Sequence, residues 1–547
     1  MRIPTVTALL VLAACSSDVE VGNASLSGGS GDSGGSGSGD ASQSSTAPTS
    51  VSASADGSND SGALFDVGNG DGSGSDTGAP GSCTVDDELD GTAPCTGKAP
   101  PDSFDPAVQW SWDGDGDYIY SIVMPLVGNL DDDNGDGAID LCDTPDVVVS
   151  VFRQDGCCVP SEAYLYALDG GSGAMKWKSE VNVGAVGMTP ALADLDADGA
   201  PEILAVRPGG HLVAFDGGGA VLWENGGSAN DAAAIAIADL DNSGAPEIIV
   251  SDRVFAADGT AMAWGQLGGT GSYDASVAVD LDGDMDLEVV TCGGAMHHDG
   301  TVMWTVSLGY GYPQVADFDA DGAPEILCAN SSAIVMLEAD GSVVYQVQDG
   351  SIWNFPATVH DLDGDGAPEY ALGTSDIYSA RRADGTPMWS ATVDDQSGIA
   401  AGTAFDFLGD GTAEAMYADE WNFFVFDGGS GDTLLEVERS SGTLIEYPVV
   451  ADVDNDASAE AVVVSNYNLV GMMLNKTAPT VQVVRDAQDR WVPARRIWNQ
   501  HTYHVTNVRE DGTIPQYETP HWTQLNTFRT QAQIETGGGV CQPEPEG

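Results

Sequence analysis

Six stretches of the sequence carry oxygen ligands in one nine-residue frame. They are Asp194, Asp196, Asp198 and Glu202; Asp239, Asp241, Ser243 and Glu247; Asp280, Asp282, Asp284 and Glu288; Asp317, Asp319, Asp321 and Glu325; Asp361, Asp363, Asp365 and Glu369; and Asp452, Asp454, Asp456 and Glu460. The shared pattern is D-x-D-x-D-G-x-x-E. Alternation turns every second side chain inward as the chain curls, so positions 1, 3, 5 and 9 can wrap a hard cation. Calcium fits best, because it takes six to eight oxygens in loose geometry. Glycine at position 6 permits a positive φ, and proline at position 8 extends the residue before it. Asp and Gly are common in plain solvated turns, so a single copy would say little. Six copies make calcium the expectation, with a mainly structural role for most ions.

The copies differ in quality. Met285 and Ala457 replace the glycine at position 6, and Ser243 still offers an oxygen at position 5. A further loop from Asp406 to Glu414 has Leu408 at position 3, which predicts weak binding or none. An expanded eighth copy begins near Asn129. Within it Asp132, Asn134, Asp136, Asp140 and Asp143 match the twelve-residue EF-hand loop pattern, with Asp143 in place of glutamate. No EF-hand helices flank it.

These loops must be held by strands. Each is followed by a short apolar run, such as Glu202-Ile-Leu-Ala-Val or Glu460-Ala-Val-Val-Val, bounded by turn residues, which reads as a buried strand. An Asp-Gly hairpin signal comes next, then an aromatic residue: Asp169 to Trp177, Asp216 to Trp223, Asp258 to Trp264, Asp299 to Trp304, Asp340 to Tyr345, Asp384 to Trp389. A version from Asp427 ends on Leu435. The unit recurs roughly every 37–46 residues, about four strands each, the size of one propeller blade. The Trp residues read as packing between blades rather than a ligand cage.

With those motifs in view, the region from about Gln109 to Trp491 resembles the FG-GAP/VCBS-type repeat family, calcium-loop β-propellers that include the integrin α-subunit head. The matching residues are the D-x-D-x-D-G-x-P-E loops and the strands after them. The Gly-Ala-Pro triplets lie inside or just after the loops, as in the bacterial type of repeat. The resemblance implies an all-β fold: a single β-propeller of about eight four-stranded blades, with seven as the alternative. The last blade needs one more strand. Asp486 to Trp491 has the right spacing, and Gln109-Trp-Ser-Trp112 competes by joining the two chain ends. The stretch Leu168 to Trp177 also resembles quinoprotein-type propeller repeats.

Four regions follow. Residues 1–15 read as an export signal, with Arg2 ahead of an apolar run, and Leu12-Ala-Ala-Cys15 resembles a lipobox that would lipidate Cys15. Residues 16–105 are a Gly/Ser/Asp-rich tether that cannot bury a core and is expected to be disordered. Residues 106–491 are the propeller, and residues 492–547 a small Trp/Arg/His-rich C-terminal module. Seven of the 17 basic residues fall between Lys476 and Arg529. His501 and His504 are weighed there as metal ligands, but no neighbouring carboxylate or cysteine cluster supports them. A polar network capping the propeller is the expectation, with Arg495 and Arg496 pairing to blade carboxylates.

Asp plus Glu number 85 against 17 Lys plus Arg, a formal net charge of −68. Eight divalent ions would offset at most about 16 of those charges. A surface that acidic excludes nucleic-acid partners, whose phosphates it repels, and leaves attachment to a membrane to a lipid on Cys15. Besides Cys15, eight cysteines remain, an even number that suggests disulfides in an exported chain. Cys83 with Cys95, and Cys142 with Cys157 or Cys158, are the pairings proximity suggests. The expected function is an exported, lipid-anchored, calcium-binding surface protein for binding or adhesion. It would sit at the outer membrane or cell surface of a bacterium and meet a protein or carbohydrate ligand. Residues 106–547 carry no G-x-S-x-G elbow and no H-E-x-x-H motif, so an enzyme is not expected. A propeller enzyme, quinoprotein-like or polysaccharide-active, is the alternative, since Cys157-Cys158 resembles the vicinal disulfide of some quinoprotein dehydrogenases. A passive structural envelope component is a further alternative.

Overall fold

The computed structural model describes residues 83–84 and 93–544, apart from 155–159, 185–186, 266, 268–273, 310, 331–332, 349–355, 396, 471–472 and 536–538. The expected signal, Cys15, most of the expected tether and the Cys157-Cys158 pair lie outside the described residues.

Eight antiparallel sheets form a propeller ring. Blade 1 comprises Leu126–Gly128, Asp146–Gln154, Pro160–Asp169 and Met175–Lys178 in spatial order. Blade 2 runs through Ala191–Ala193, Glu202–Arg207, His211–Phe215 and Val221–Glu224. The same order recurs in blades 4 to 7, which begin at Val277, Tyr312, Thr358 and Gly402. Blade 3, from Ile235, has three strands, and its outer edge is marked only by the bridge Phe255–Ala261.

Each carboxylate loop links the innermost strand of a blade to the second. The inner strands Ala191–Ala193, Ile235–Ala238 and Val277–Val279 are wholly buried and rich in alanine, valine and isoleucine. Small side chains suit the crowded hub, and β-branched ones suit a pleated surface covered on both faces. The outer strands alternate instead: Val221, Leu222, Trp223 and Glu224 run half-buried, exposed, half-buried, exposed. A bulge follows the Asp-Gly turn in six of these outer pairs, as between Val221 and Trp223. It strengthens the local twist.

The ring closes through the N-terminal competitor. Strand Pro106–Trp112 pairs antiparallel with Val481–Asp486 and becomes the outer strand of blade 8, after Val449–Ala451 and Glu460–Val464. Asp486–Trp491 forms no fourth strand; its Arg490 instead pairs back to Asp486 (2.6 Å). The closing strand brings its own aromatic, so blade 8 ends on Trp110 as other blades end on theirs. Trp110 Nε1 donates to Gly170 O (2.5 Å), Trp177 to Gly217 O (2.7 Å), Trp304 to Ala339 O (2.8 Å) and Trp389 to Gly428 O (2.5 Å). Each indole thus caps the Asp-Gly turn of the next blade. The turn glycine needs its missing side chain: a Cβ on Gly219 would lie 2.5 Å from the Trp177 ring.

Residues 93–105, at the end of the expected tether, are docked. Ala93–Pro94 pairs with Cys541–Gln542, and Ala99 N–H donates to Leu408 O (2.8 Å). Among the described residues the disulfides are Cys83–Cys142, Cys95–Cys541 and Cys292–Cys328. The pairings suggested by proximity, Cys83–Cys95 and Cys142 with Cys157 or Cys158, are therefore not formed: the fold brings chain ends and adjacent blades closer than sequence neighbours.

The C-terminal segment is no separate module. It threads past the inner strands of all eight blades: Arg495 O accepts from Asp452 (blade 8), Trp498 bridges Val127 (blade 1), and Asn499 O accepts from Leu192 (blade 2). Gln500 then meets Ile237, Thr502 meets Ser276, His521 meets Val315, Phe528 bridges Val359, and Thr530 bridges Ala404 (blades 3 to 7). Arg495 does not pair to a blade carboxylate as expected. It binds Glu510 (2.8 Å), as does Arg496 (3.2 Å), within the segment itself.

Candidate metal centres

The seven nine-residue loops, including the one at Asp406, share one hydrogen-bond scheme, visible in blade 2. Asp194 at position 1 accepts N–H bonds from Asp198 (3.2 Å) and Gly199 (2.9 Å). Asp198 at position 5 accepts from Ala200 (3.0 Å). Glu202 at position 9 reaches back with Oε2 to the Leu195 N–H (2.9 Å). The equivalent glutamate bond spans 2.7–3.0 Å in the other six loops, from Glu247 to Glu460. These donors fix both oxygens of the position 1 aspartate, Asp194 Oδ1 and Oδ2, but only one oxygen of the position 9 glutamate, Glu202 Oε2. Glu325 Oε1 and Glu460 Oε1 are buried without a hydrogen-bond partner. Buried acceptors without donors are costly, which is the signature of a place meant for a cation.

Positions 1, 3 and 9 converge. One oxygen each of Asp194, Asp196 and Glu202 lies within 4.8 Å of the others, and Asp239, Asp241 and Glu247 do the same. Asp196 and Asp198, at positions 3 and 5, are both exposed. The turn also needs a left-handed residue at position 4, a feature sequence reasoning missed. Ala197 (φ 59°), Asn242 (55°), Ala320 (61°) and Asn455 (61°) take it, alongside Met285 (77°) and Ala457 (68°) at position 6. Residues other than glycine adopt that region at a cost, so the loop geometry is imposed by its carboxylate bonds.

Electrostatics point the same way. Burial, then the neighbouring aspartates, pushes Glu202, Glu247, Glu325 and Glu369 up to about 7 and Glu288 to about 8. Glu460 lies well above its usual range for the same reasons. Without a cation these groups hold protons near neutrality; a divalent ion would displace them.

Other loops recruit basic side chains. In blade 4 His297 Nδ1 lies 3.3 Å from Glu288 and 3.8 Å from Asp282. In blade 6 Arg382 lies 2.9 Å from Asp363 and 3.6 Å from Glu369. In blade 1 Asp146 begins the second strand, where the other blades have glutamate, and Lys176 Nζ sits 2.8 Å from it and 2.5 Å from Asp131. The EF-hand-like loop lies outboard of that pair. Asp132 accepts from Gly135, Asp136 and Gly137 (2.7–3.1 Å), Asp136 from Ala138, and Asp140 from Cys142. Buried Asp143 accepts from Asn134 (3.1 Å) and Asp140 (2.9 Å). Asn134 Oδ1 accepts from Asp136 (2.9 Å).

The blade 7 loop is closed over. Leu408 supplies no carboxylate, and the segment around Gly97–Ala99 lies on it. Burial raises Asp406 to about 7, and burial with the Asp406 charge beside it raises Glu414 well above the usual range.

Of the two histidines weighed from sequence, His501 is buried between Tyr312 (ring centroids 4.7 Å) and Tyr447 (5.3 Å), with no carboxylate beside it. His504 instead meets Glu518 (2.6 Å), a carboxylate that the linear sequence did not place next to it.

No protein-family profile and no curated protein matches the chain. Solved structures do. The V. cholerae biofilm matrix protein Bap1 is similar at a TM-score of 0.71 and 21% identity, covering 80% of this chain and 100% of that one. Rhamnogalacturonan lyase YesW is similar at a TM-score of 0.51 and 17% identity, covering 81% of this chain and 84% of that one. At these identities the likeness is one of fold. This chain's own sheets make it an eight-bladed β-propeller, with acidic groups in its loops that could hold metal ions.

Proposed function

We propose that this chain is an exported, lipid-anchored calcium-binding β-propeller of the FG-GAP/VCBS type that acts as a surface binding or adhesion protein. The observation that carries the reading is the repeated loop in which three carboxylates converge on a space that backbone N–H groups leave open. Oxygen-only ligands at loose spacing suit calcium over transition metals. The ions would stiffen the links between first and second strands and offset part of the formal charge of −68. The C-terminal segment lies along the inner strands of the ring, which leaves the loops and outer strands as the surface for an extended partner. The structural neighbour Bap1 is a biofilm matrix protein, which agrees with an extracellular partner such as a polysaccharide or a matrix protein. The test is binding of the full chain to a panel of acidic and neutral polysaccharides, with calcium and with EDTA, with release of shortened chains followed in parallel. Binding that needs calcium and leaves the polymer intact supports the proposal. Calcium-independent binding, or depolymerisation as by a lyase, overturns it.

A further inference from the structure

The fold gathers His504, Glu518 and His521 at the inner ends of blades 4 and 5, where the C-terminal segment passes. One imidazole nitrogen from each ring and one carboxylate oxygen all lie within 4.8 Å of one another. His504 and His521 are both fully buried, and their ring centroids stand 4.5 Å apart.

Hydrogen bonds on the far side of each ring fix its tautomer. His504 Nδ1 lies 3.0 Å from Thr502 O, and His521 Nε2 lies 2.8 Å from Val315 O. A carbonyl oxygen only accepts, so each of those nitrogens carries the hydrogen. The inward nitrogens, His504 Nε2 and His521 Nδ1, are left as lone pairs. His521 Nδ1 is buried and has no hydrogen-bond partner. His504 Nε2 faces Glu518 Oε1 at 2.6 Å. Two acceptors approach that closely only with a positive centre between or beside them. A proton on His504 would satisfy that pair and leave His521 Nδ1 a buried acceptor without a donor, which is costly. One metal ion satisfies all three ligands. Outer N–H groups held by backbone carbonyls are the usual support of metal-bound imidazoles. Thr506 Oγ1 supports the carboxylate in the same way, donating to Glu518 Oε1 (3.0 Å).

We propose that His504, His521 and Glu518 bind one zinc-class divalent ion, separate from the blade loops. Two imidazoles and one carboxylate suit zinc, nickel or copper rather than calcium. Three protein ligands leave a fourth position open to water or to a ligand. Glu518 is half-buried as a residue, though its side chain is only 4% exposed, and stands at the outer edge of the cluster. The ion would clip the return of the C-terminal segment, since the stretch from Val505 to Pro520 that joins His504 to His521 contains no helix or ladder strand.

The experiment is calorimetric titration of the full chain with zinc chloride in saturating calcium, repeated with cobalt, whose visible absorption reports imidazole ligation. We expect one zinc per chain, weakened at least tenfold by Glu518→Gln and by His521→Gln, with the cobalt band lost in both. Asp196→Asn, in a blade loop, should leave zinc affinity unchanged. Should His521→Gln fail to fold, Glu518→Gln at the edge of the cluster still reads the site. Absence of a zinc site in calcium-saturated protein, or equal affinity in Glu518→Gln, overturns the proposal. Loss of zinc binding in Asp196→Asn overturns it too, by placing the ion in the loops.

Discussion

Glu202→Gln should separate what the loop carboxylate costs from what it binds. Glutamine keeps the oxygen that accepts the Leu195 N–H (2.9 Å) but carries no charge. In ion-free protein, burial and the neighbouring aspartates raise Glu202 from 4.5 to about 7. A raised carboxylate favours folding at low pH, and that stability is lost as pH rises from about 4.5 through about 7. At about 1.4 kcal/mol per pKa unit the ceiling is about 3 kcal/mol. Asp196 and Asp198 beside it are exposed, so water screens much of this, and about 1 kcal/mol remains. In EDTA at pH 8 the variant should therefore be more stable than the parent by about 1 kcal/mol, and the advantage should shrink toward pH 4.5. Calcium reverses the order of gains. Losing a charged ligand weakens that loop at least tenfold, so its calcium-induced stabilisation falls by about 1.4 kcal/mol or more. Urea unfolding followed by tryptophan fluorescence, in EDTA and in calcium at pH 5 and pH 8, reads both. A variant that is less stable than the parent in EDTA at pH 8, or equally shifted at both pH values, would refute the reasoning.

Two further substitutions test the ring itself. Gly219→Ala and Gly199→Ala both place a side chain in the left-handed region (φ 81° and 87°), costing about 1 kcal/mol each, but only Gly219 also faces the Trp177 ring at 2.5 Å. Urea unfolding should show Gly219→Ala destabilised by about 1–3 kcal/mol beyond Gly199→Ala, with a shifted tryptophan emission. Replacing Cys95 and Cys541 by serine opens a link across 446 residues and should cost about 2–5 kcal/mol in the same assay, because it frees the unfolded chain from that cross-link and leaves the pairing of Ala93–Pro94 with Cys541–Gln542 to hydrogen bonds alone.

The loops were legible because their chemistry is local: the spacing of Asp194, Asp196 and Glu202 is itself the geometry. Blade number and the role of Trp177 followed from the period. What escaped the sequence depends on long-range closure. Pro106–Trp112 and Asp486–Trp491 both carried strand-like cues, and only the register with Val481–Asp486 decided between them. The C-terminal segment has no alternating pattern because its bonds go from side chains such as Gln500 and Asn526 to blade backbone, not along a ladder. His521 and Glu518 looked unrelated to His504 because an irregular chain brings them together. The left-handed residue at position 4 was hidden by its variety: alanine, asparagine and glycine all fill it.

The central claim is that the acidic loops are cation sites. Its most direct measurement is thermal unfolding of the full chain from EDTA through a calcium titration. Binding to the folded state alone adds RT ln(1 + [L]/Kd) per loop, so the midpoint should climb progressively, while magnesium, which demands stricter octahedral geometry, should raise it less. A folded ion-free protein whose midpoint does not move with calcium would contradict the account and leave the repeats as solvated acidic turns.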